Sequence, residues 1–143
     1  MLEQIQRGDR AVLRQVSALE LPFLEGAMSS VTGLGSVYLA LVFLLATWAA
    51  GMTTFVTRAG IGLAGVWGVA YAMKYIVRRK RPSESHRSAV GYSFPSGHSA
   101  TAFYLAVVFS TLIQPAVLLY LVAALVAVSR IYFRLHYPLD ALA

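Results

Sequence analysis

The sequence predicts an all-α fold, a multi-pass bundle of transmembrane helices with an amphipathic helix in the membrane interface at its N-terminus. Of the 143 residues, 58% are hydrophobic and 13% are charged, whereas soluble domains carry about 25% charged residues. A chain of this length cannot bury so much apolar surface inside one globule, so solvation by lipid is expected. We expect the whole chain, residues 1–143, to form a single domain.

The N-terminal region, residues 1–35, is predicted to form short interfacial helices. Its apolar positions recur at helical spacing, with arginines on other faces, and they are Val12, Val16 and Leu19. This pattern is typical of helices that lie among lipid headgroups, although packing of the helix on the rest of the bundle explains it equally well. Gly8 and Asp9 are expected to break the helix and to supply an N-cap, and Pro22 suits the first turn of a second helix.

Four spans are expected, at about residues 36–55, 61–77, 98–113 and 116–129, and a further helix starts at 138–143. A brief polar turn at 57–60 separates the first two. The second carries a small-residue stripe that would let another helix approach closely, formed by Gly62, Gly65 and Gly68. The last two spans are short for the roughly 20 residues that a bilayer core requires. Because the final helix is cut off, we expect the chain to be incomplete at its C-terminus, as a fragment or as a reduced form that a partner completes.

Alternation of these spans would bring three polar clusters to one membrane face. The loop at 78–97 joins the second span to the third, and the segment at 129–137 follows the fourth span. Both therefore lie on the same side, together with the region before residue 36. The three clusters can thus contribute to one site.

The first cluster extends from Lys74 to Pro82. Lys74 lies within the apolar second span, where an ionisable side chain is costly and usually functional. Arg81 follows seven residues later, about two helical turns along, so both cations could approach one anion. Snorkelling of Lys74 to the interface, and contact of the basic run with acidic lipids, explain the same residues without catalysis.

The second cluster is Pro95-Ser96-Gly97-His98, at the start of the third span. A glycine before a helix start lets backbone N–H groups face an anion, and the hydroxyl of Ser96 can donate to it as well. His98 is positioned to donate a proton to an oxygen that leaves the anion. A capped helix start with an interfacial histidine is the alternative interpretation.

The third cluster contains Arg130, His136 and Asp140. Arginine suits bidentate binding of phosphate oxygens. Because His136 and Asp140 are four residues apart, they would be neighbours on one helical face if a helix begins near His136. A carboxylate that holds one ring nitrogen of a histidine orients the other as a nucleophile. The same spacing also occurs in ordinary surface pairs.

Together, these residues resemble the three-part signature of the type 2 phosphatidic acid phosphatase family, which also includes vanadium haloperoxidases and glucose-6-phosphatase. The signature is lysine, six residues and Arg-Pro; then Pro-Ser-Gly-His; then Ser-Arg, five residues, histidine, three residues and aspartate. The match covers about half of the chain without a missing position. The matching residues are Lys74, Arg81 and Pro82; Pro95, Ser96, Gly97 and His98; and Ser129, Arg130, His136 and Asp140.

The resemblance implies roles for these residues. His136 would be the nucleophile that forms a phosphohistidine, Asp140 would orient it, and His98 would be the general acid. Hydrolysis would need no metal ion and no cofactor. Phosphate binding would fall to Lys74, Arg81, Ser96, Gly97 and Arg130.

The expected function is hydrolysis of a lipid phosphate or diphosphate, such as polyprenyl diphosphate, phosphatidylglycerophosphate or phosphatidic acid. A vanadate-dependent haloperoxidase-like enzyme and a non-catalytic anion-binding membrane module are the alternatives. Membrane lipids are the expected partners, nucleic acid is not, and self-association into a homo-oligomer is left open. The resemblance places the active site on the extracytoplasmic face of the cell membrane. The concentration of lysine and arginine on that same face favours the cytoplasm instead.

Overall fold

A computed structural model describes residues 2–19, 21–82 and 89–143, and it is all-helical over these ranges, without a strand. The predicted all-α class is therefore confirmed. The described helices are α1 (Leu2–Ser17), α2 (Pro22–Leu34), α3 (Val37–Ala49), α4 (Thr53–Val77), α5 (Gly97–Phe109), α6 (Val117–Tyr132) and α7 (Pro138–Leu142).

Helices α5 and α6 form the centre of the bundle, where α2 packs on α6 and α4 packs on α5. Small side chains line the contact between the two central helices, since Ala102 and Ala106 of α5 are buried together with Ala123 and Val126 of α6. Helix α3 packs on α4, while α1 lies against α6 and α7. The starts of α5 and α7 and the end of α6 consequently lie near one another.

Much of the apolar surface of the bundle faces outward. Ile61, Val69 and Ile76 of α4 are each at least 66% exposed. In the described part of the chain, α4 is the one helix that is long and apolar enough by itself to cross a membrane. Helices α2 and α3 meet this criterion as a pair, bent by 52° at the break between them, and α5 and α6 are shorter apolar helices. The number of spans stays a prediction.

The boundary between the first two predicted spans is wrong. Helix α3 ends at Ala49 and α4 begins at Thr53, so the predicted polar turn at 57–60 lies inside α4. The chain reverses instead at Gly51, whose φ of 82° is a conformation that glycine adopts readily. Within the helix, Ala59 packs into the core while Arg58 is exposed. Residues 57–60 therefore form a helical turn near the start of α4, with one side buried and the other exposed.

The N-terminal region also differs from the prediction. Helix α1 is continuous through Gly8 and Asp9, so these residues neither break nor cap it. Asp9 is buried, and its carboxylate accepts hydrogen bonds there from Arg79 and from the N–H of Leu139, both outside α1. Pro22 occupies the first turn of α2, as predicted. The interfacial position of residues 1–35 stays a prediction.

Two glycines allow close approaches in the bundle. At Gly35, between α2 and α3, an added Cβ would lie 2.7 Å from the carbonyl oxygen of His98, which leaves no room for a side chain. In the predicted small-residue stripe, Gly62 is approached by Tyr104, whose hydroxyl donates to the carbonyl of Ala59 at 2.7 Å. The stripe does not extend further, because a Cβ at Gly65 or Gly68 would meet open space.

Candidate active site

The three predicted clusters lie together at one end of the bundle. Arg81 follows α4 and its Nη1 lies 3.2 Å from Nε2 of His136, in the segment between α6 and α7. At the start of α5, the N–H of Ser96 donates to the carbonyl oxygen of Asp140 at 2.7 Å. Lys74 donates to the carbonyl of Pro95, also at 2.7 Å. These contacts confirm that the clusters converge.

Arg81 reaches the site from an irregular segment and not from a helix. Helix α4 ends at Val77 because Arg78 adopts a left-handed conformation with a φ of 50°. Arg81 therefore does not follow Lys74 by two helical turns, as the spacing suggested. Its guanidinium is held by three backbone carbonyl oxygens at 2.8–3.2 Å, those of Val90, Gly91 and Leu135.

The second cluster begins α5. The side-chain oxygen of Ser96 accepts hydrogen bonds from the N–H of Ser99 at 3.4 Å and from its hydroxyl at 3.0 Å, so Ser96 is the N-cap of α5. Gly97 and His98 form the first turn of the helix. The guanidinium groups of Arg130 and Arg81 are close enough to His98 to act on its ring electrostatically. The sequence offered a capped helix start and an anion-binding site as alternatives for this cluster. The structure contains both a capped helix start and a histidine close to cations.

Arg130 and His136 are fixed relative to each other by a tight turn after α6. The carbonyl of Arg130 accepts hydrogen bonds from the N–H groups of Leu135 at 3.1 Å and of His136 at 3.3 Å. Arg134 takes a φ of 54° within this turn. The side chain of Arg130 is buried, and its Nη1 donates to the hydroxyl of Thr32 in α2 at 2.9 Å. Helix α2 thereby orients Arg130, one of the residues predicted to bind phosphate.

His136 is buried, and its ring is oriented by a backbone carbonyl. Nδ1 lies 2.6 Å from the carbonyl oxygen of Ser93, whereas the nearest carboxylate oxygen of Asp140 is 4.0 Å away. Because a carbonyl can only accept, we assign the proton to Nδ1, which leaves the lone pair of Nε2 facing Arg81. The direct hydrogen bond expected between Asp140 and His136 is therefore replaced by one to Ser93.

The surroundings of His136 favour its neutral form. Burial is the largest cause, and the nearby charges of Arg81, Arg130 and Lys74 act in the same direction. Together they hold the pKa of His136 well below its usual value of 6.5, although the hydrogen bond to Ser93 acts in the opposite direction. A neutral imidazole that carries its lone pair on Nε2 can act as a nucleophile towards phosphorus once a bound phosphate takes over the Arg81 guanidinium.

Asp140 belongs to an ionic network that joins both ends of the chain. Arg79 donates from Nη1 to Asp140 at 2.7 Å and from Nη2 to Asp9 in α1. Both carboxylates also cap the start of α7, since Tyr137 N–H donates to Asp140 at 2.9 Å and Leu139 N–H donates to Asp9 at 3.0 Å. We refer to these residues as the Asp9–Arg79–Asp140 network. It explains why Asp140 does not turn towards the imidazole.

Four residues that hold the site together were not predicted as site residues. Arg79 is hidden in a run of basic residues, and Asp9 is 70 residues away from it along the chain. Thr32 contributes a hydroxyl whose partner lies 98 residues away. Ser93 contributes a main-chain oxygen, which carries no sequence signal at all. Only one of the four had a usable signal in the sequence: Asp9 is an acidic residue beside the apolar face of α1.

The fold and the site define a protein that is helical over its described residues and in which three cations lie around a buried histidine whose pKa is held below its usual value. Residues 37–143 match the PAP2 superfamily. This match covers more than half of the chain, so the chain belongs to the PAP2 superfamily, as the signature predicted.

Two crystal structures share this fold. The transmembrane PAP2 type phosphatidylglycerolphosphate phosphatase of Bacillus subtilis superposes with a TM-score of 0.78 at 24% identity, over 97% of this chain and 78% of its own. LpxE of Aquifex aeolicus superposes with a TM-score of 0.84 at 24% identity, over 92% of this chain and 84% of its own. No match to a curated protein reaches significance.

Proposed function

We propose that this chain is a membrane phosphatase that hydrolyses a lipid phosphate or diphosphate through a phosphohistidine on His136. The observation that carries the proposal is the geometry of that ring, which is buried and hydrogen-bonded through Nδ1 to Ser93, with Nε2 beside Arg81. A phosphate drawn to Arg81 would place its phosphorus within reach of Nε2. Membership of the PAP2 superfamily supports the same chemistry.

The reaction has two steps. Nε2 of His136 attacks phosphorus, the bond to the leaving oxygen breaks, and His98 supplies the proton that this oxygen takes up. Water then attacks the phosphohistidine and releases inorganic phosphate while His98 accepts a proton. Charge on the equatorial oxygens is stabilised by cations and donors already fixed in place, namely Lys74, Arg81, Ser96, Gly97 and Arg130. Asp140 offsets the positive charge that develops on the ring.

The membrane setting that we propose is supported by the exposed apolar surface and by one structural relative. Helix α4 is long and apolar enough to span a bilayer, and the α2–α3 pair would form a bent span. One structural relative is a transmembrane phosphatidylglycerolphosphate phosphatase, which makes phosphatidylglycerophosphate a candidate substrate beside polyprenyl diphosphate and phosphatidic acid. We place the protein in the cell membrane as a multi-pass chain, with its active site on the extracytoplasmic face.

Phosphate release by the detergent-solubilised chain, assayed on a panel of lipid phosphates with a chelator present, tests the activity and its independence of metal ions. We expect the His136→Ala variant to lose about 1,000-fold or more in kcat, since a nucleophile is lost outright. Arg58→Gln, an exposed change in α4, is the control and should keep full activity. Undiminished turnover by His136→Ala would refute the assignment, and radiolabel from substrate should be trapped on His136 after a denaturing alkaline quench.

Labelling of a single introduced cysteine tests the sidedness of the site. The chain has no cysteine, and Val90, beside Arg81, is 98% exposed. A Val90→Cys variant in intact cells should react with a membrane-impermeant thiol reagent. Reaction only after the cells are permeabilised would place the site in the cytoplasm.

A further inference from the structure

Helix α4 holds the start of α5 at two points on one of its faces. Near the end of α4, Lys74 donates to the carbonyl oxygens of Tyr92 at 3.1 Å and of Pro95 at 2.7 Å. About two helical turns earlier, the indole N–H of Trp67 donates to the hydroxyl of Thr101 in α5 at 3.0 Å. The first contact involves a predicted phosphate-binding residue, and the second involves a tryptophan outside the signature.

The contact with Trp67 continues into the main chain of the candidate active site. Thr101 is fully buried, and its hydroxyl donates to the carbonyl oxygen of Gly97 at 2.9 Å. A bond of this kind, to the carbonyl four residues earlier, is common for threonine in helices. The second hydrogen bond, from an indole in another helix, is not part of that habit. It makes the hydroxyl a link between α4 and the first turn of α5.

The ring of Trp67 also lies against this turn. A Cβ added at Gly97 would lie 3.7 Å from Cη2 and 3.8 Å from Cζ2 of the indole, which is ordinary van der Waals contact. The ring is therefore beside the backbone that immediately precedes His98. On another side of the turn, the carbonyl oxygen of His98 lies against Gly35. The first turn of α5 is thus enclosed between α4 and the α2–α3 connection.

We propose that Trp67 is a positioning residue of the active site, which acts through Thr101 to hold the first turn of α5 and with it the imidazole of His98. The proposal rests on the proposed function, in which His98 donates a proton to the leaving oxygen. Proton transfer needs the donor within hydrogen-bonding distance of that oxygen, and a displacement of about 1 Å can slow a reaction by about 100-fold. Without the indole N–H, the turn is free to shift relative to Lys74 on α4.

The test compares a benzyl phosphate with a para-nitrophenyl phosphate that carries the same dodecyl chain, in mixed micelles. A benzyl alkoxide is a strong base and leaves only when it is protonated, whereas a nitrophenolate leaves as the anion. We expect Trp67→Phe, which removes the N–H and keeps an aromatic ring, to lose about tenfold in kcat/KM for the benzyl ester and less than about threefold for the nitrophenyl ester. The ratio kcat/KM includes only the steps up to departure of the leaving group, so hydrolysis of the phosphohistidine does not affect it.

Two changes at Thr101 test the other end of the same contact. Thr101→Val keeps the shape of the side chain and removes the hydroxyl, so it should reproduce the pattern of Trp67→Phe. Thr101→Ser restores the hydroxyl and should return kcat/KM for the benzyl ester to within about threefold of the wild-type value. An equal loss for both esters in the valine variant, or no recovery with serine, would overturn the proposal.

Tyr104→Phe is the matched control for a contact that only stabilises the bundle. It removes another hydrogen bond between the same two helices, from the hydroxyl of Tyr104 to the carbonyl of Ala59 at 2.7 Å, two helical turns from Gly97. We expect Tyr104→Phe and Trp67→Phe to lower Tm to a similar extent. Per folded chain, Tyr104→Phe should keep kcat/KM for both esters. If it loses as much for the benzyl ester as Trp67→Phe does, the effect of Trp67 is one of stability and the proposal fails.

An NMR measurement tests the contact without turnover. The chain has two tryptophans, and the other one, Trp48, is exposed, so a Trp48→Phe chain gives a single indole N–H signal from Trp67. Thr101→Val should shift this signal because the N–H loses its acceptor, and Thr101→Ser should leave it in place. An unmoved signal in the valine variant would overturn the proposal whatever the chain catalyses. No phosphate release by the wild-type chain from these esters or from the lipid panel would instead refute the proposed function.

Discussion

The carbonyl oxygen of Ser93 lies 2.6 Å from Nδ1 of His136 and fixes the tautomer of a buried imidazole whose other nitrogen faces Arg81. Ser93 is itself immobilised, because its N–H donates to the carbonyl of Arg79 at 2.8 Å. The main chain at Ser93 therefore orients the ring. In the mechanism that we propose, compensation of the charge on the ring falls to Asp140, whose nearest carboxylate oxygen lies 4.0 Å from Nδ1.

Replacement of Asp140 by asparagine tests this division. The amide oxygen can still accept from Tyr137 N–H, so the helix cap is kept while the charge is lost. Charges 4 Å apart attract by about 4 kcal/mol at an effective dielectric constant of about 20, and loss of half of that slows a reaction by about 30-fold. We expect kcat to fall to this extent with KM nearly unchanged, measured as phosphate release. A fall as large as that of His136→Ala would contradict the division of roles.

Asp9→Asn should weaken the attachment of α1 to the site. The buried carboxylate loses its ion pair with Arg79, but Arg79 keeps Asp140 as a partner. We therefore expect a loss of about 2 kcal/mol in the free energy of unfolding, the range of a hydrogen bond to a charged group. Equilibrium unfolding in mixed micelles measures it. Glu25→Gln, an exposed acidic residue in α2, is the matched control and should change stability by less than about 0.5 kcal/mol.

Thr32 in α2 should matter for catalysis through Arg130. Thr32→Val keeps the shape of the side chain but removes the hydroxyl that accepts from Nη1 of Arg130 at 2.9 Å. We expect kcat/KM for a lipid phosphate to fall about tenfold, because a buried charged donor loses one partner. Thr32→Ser restores the hydroxyl and should retain most of the activity. Equal losses in the two variants would show that Arg130 does not depend on this contact.

The lowered pKa of His136 predicts how stability depends on pH. Above pH 6.5 the ring is neutral in both the folded and the unfolded chain, whereas below 6.5 only the unfolded chain takes up the proton readily. Stability contributed by the neutral ring is therefore lost as the pH falls below 6.5. Between pH 7 and pH 5 the wild-type chain should lose about 2 kcal/mol more than His136→Asn, which does not titrate. Parallel unfolding curves of the two chains would contradict this prediction.

Gly35 and Gly33 form a matched pair of glycines for testing the close approach of the α2–α3 connection to α5 and α6. An added Cβ at Gly35 would lie 2.7 Å from the carbonyl oxygen of His98, whereas at Gly33 it would meet nothing within 4 Å. Gly35→Ala should therefore destabilise the chain by about 1–3 kcal/mol. Gly33→Ala, within α2, should be neutral or stabilising by up to about 1 kcal/mol. Thermal unfolding in detergent distinguishes the two variants. Equal changes in stability would show that there is no close approach at Gly35.

Local features of the site could be read from the sequence, and contacts between distant segments could not. The spacing from Lys74 to Arg81 and from Arg130 to Asp140 identified the cations and the histidine of the site. The polar turn expected at 57–60 was wrong because one turn of exposed polar residues looks the same in a loop and at a helix end. The reversal at Gly51 depends on a single positive φ, which composition does not signal.

The sequence alone determined the all-α class, the family and the residues grouped in the signature, because hydropathy and motif spacing are properties of neighbours along the chain. Only the tertiary structure decided that α1 belongs to the site. It brings Asp9 to Arg79 across 70 residues and sets a main-chain oxygen of Ser93, not the carboxylate of Asp140, against the imidazole of His136. Every residue carries a carbonyl, and the partners of an ion pair can be any number of residues apart in the sequence. Which carbonyl meets His136 and which carboxylate meets Arg79 therefore depend on how the helices pack.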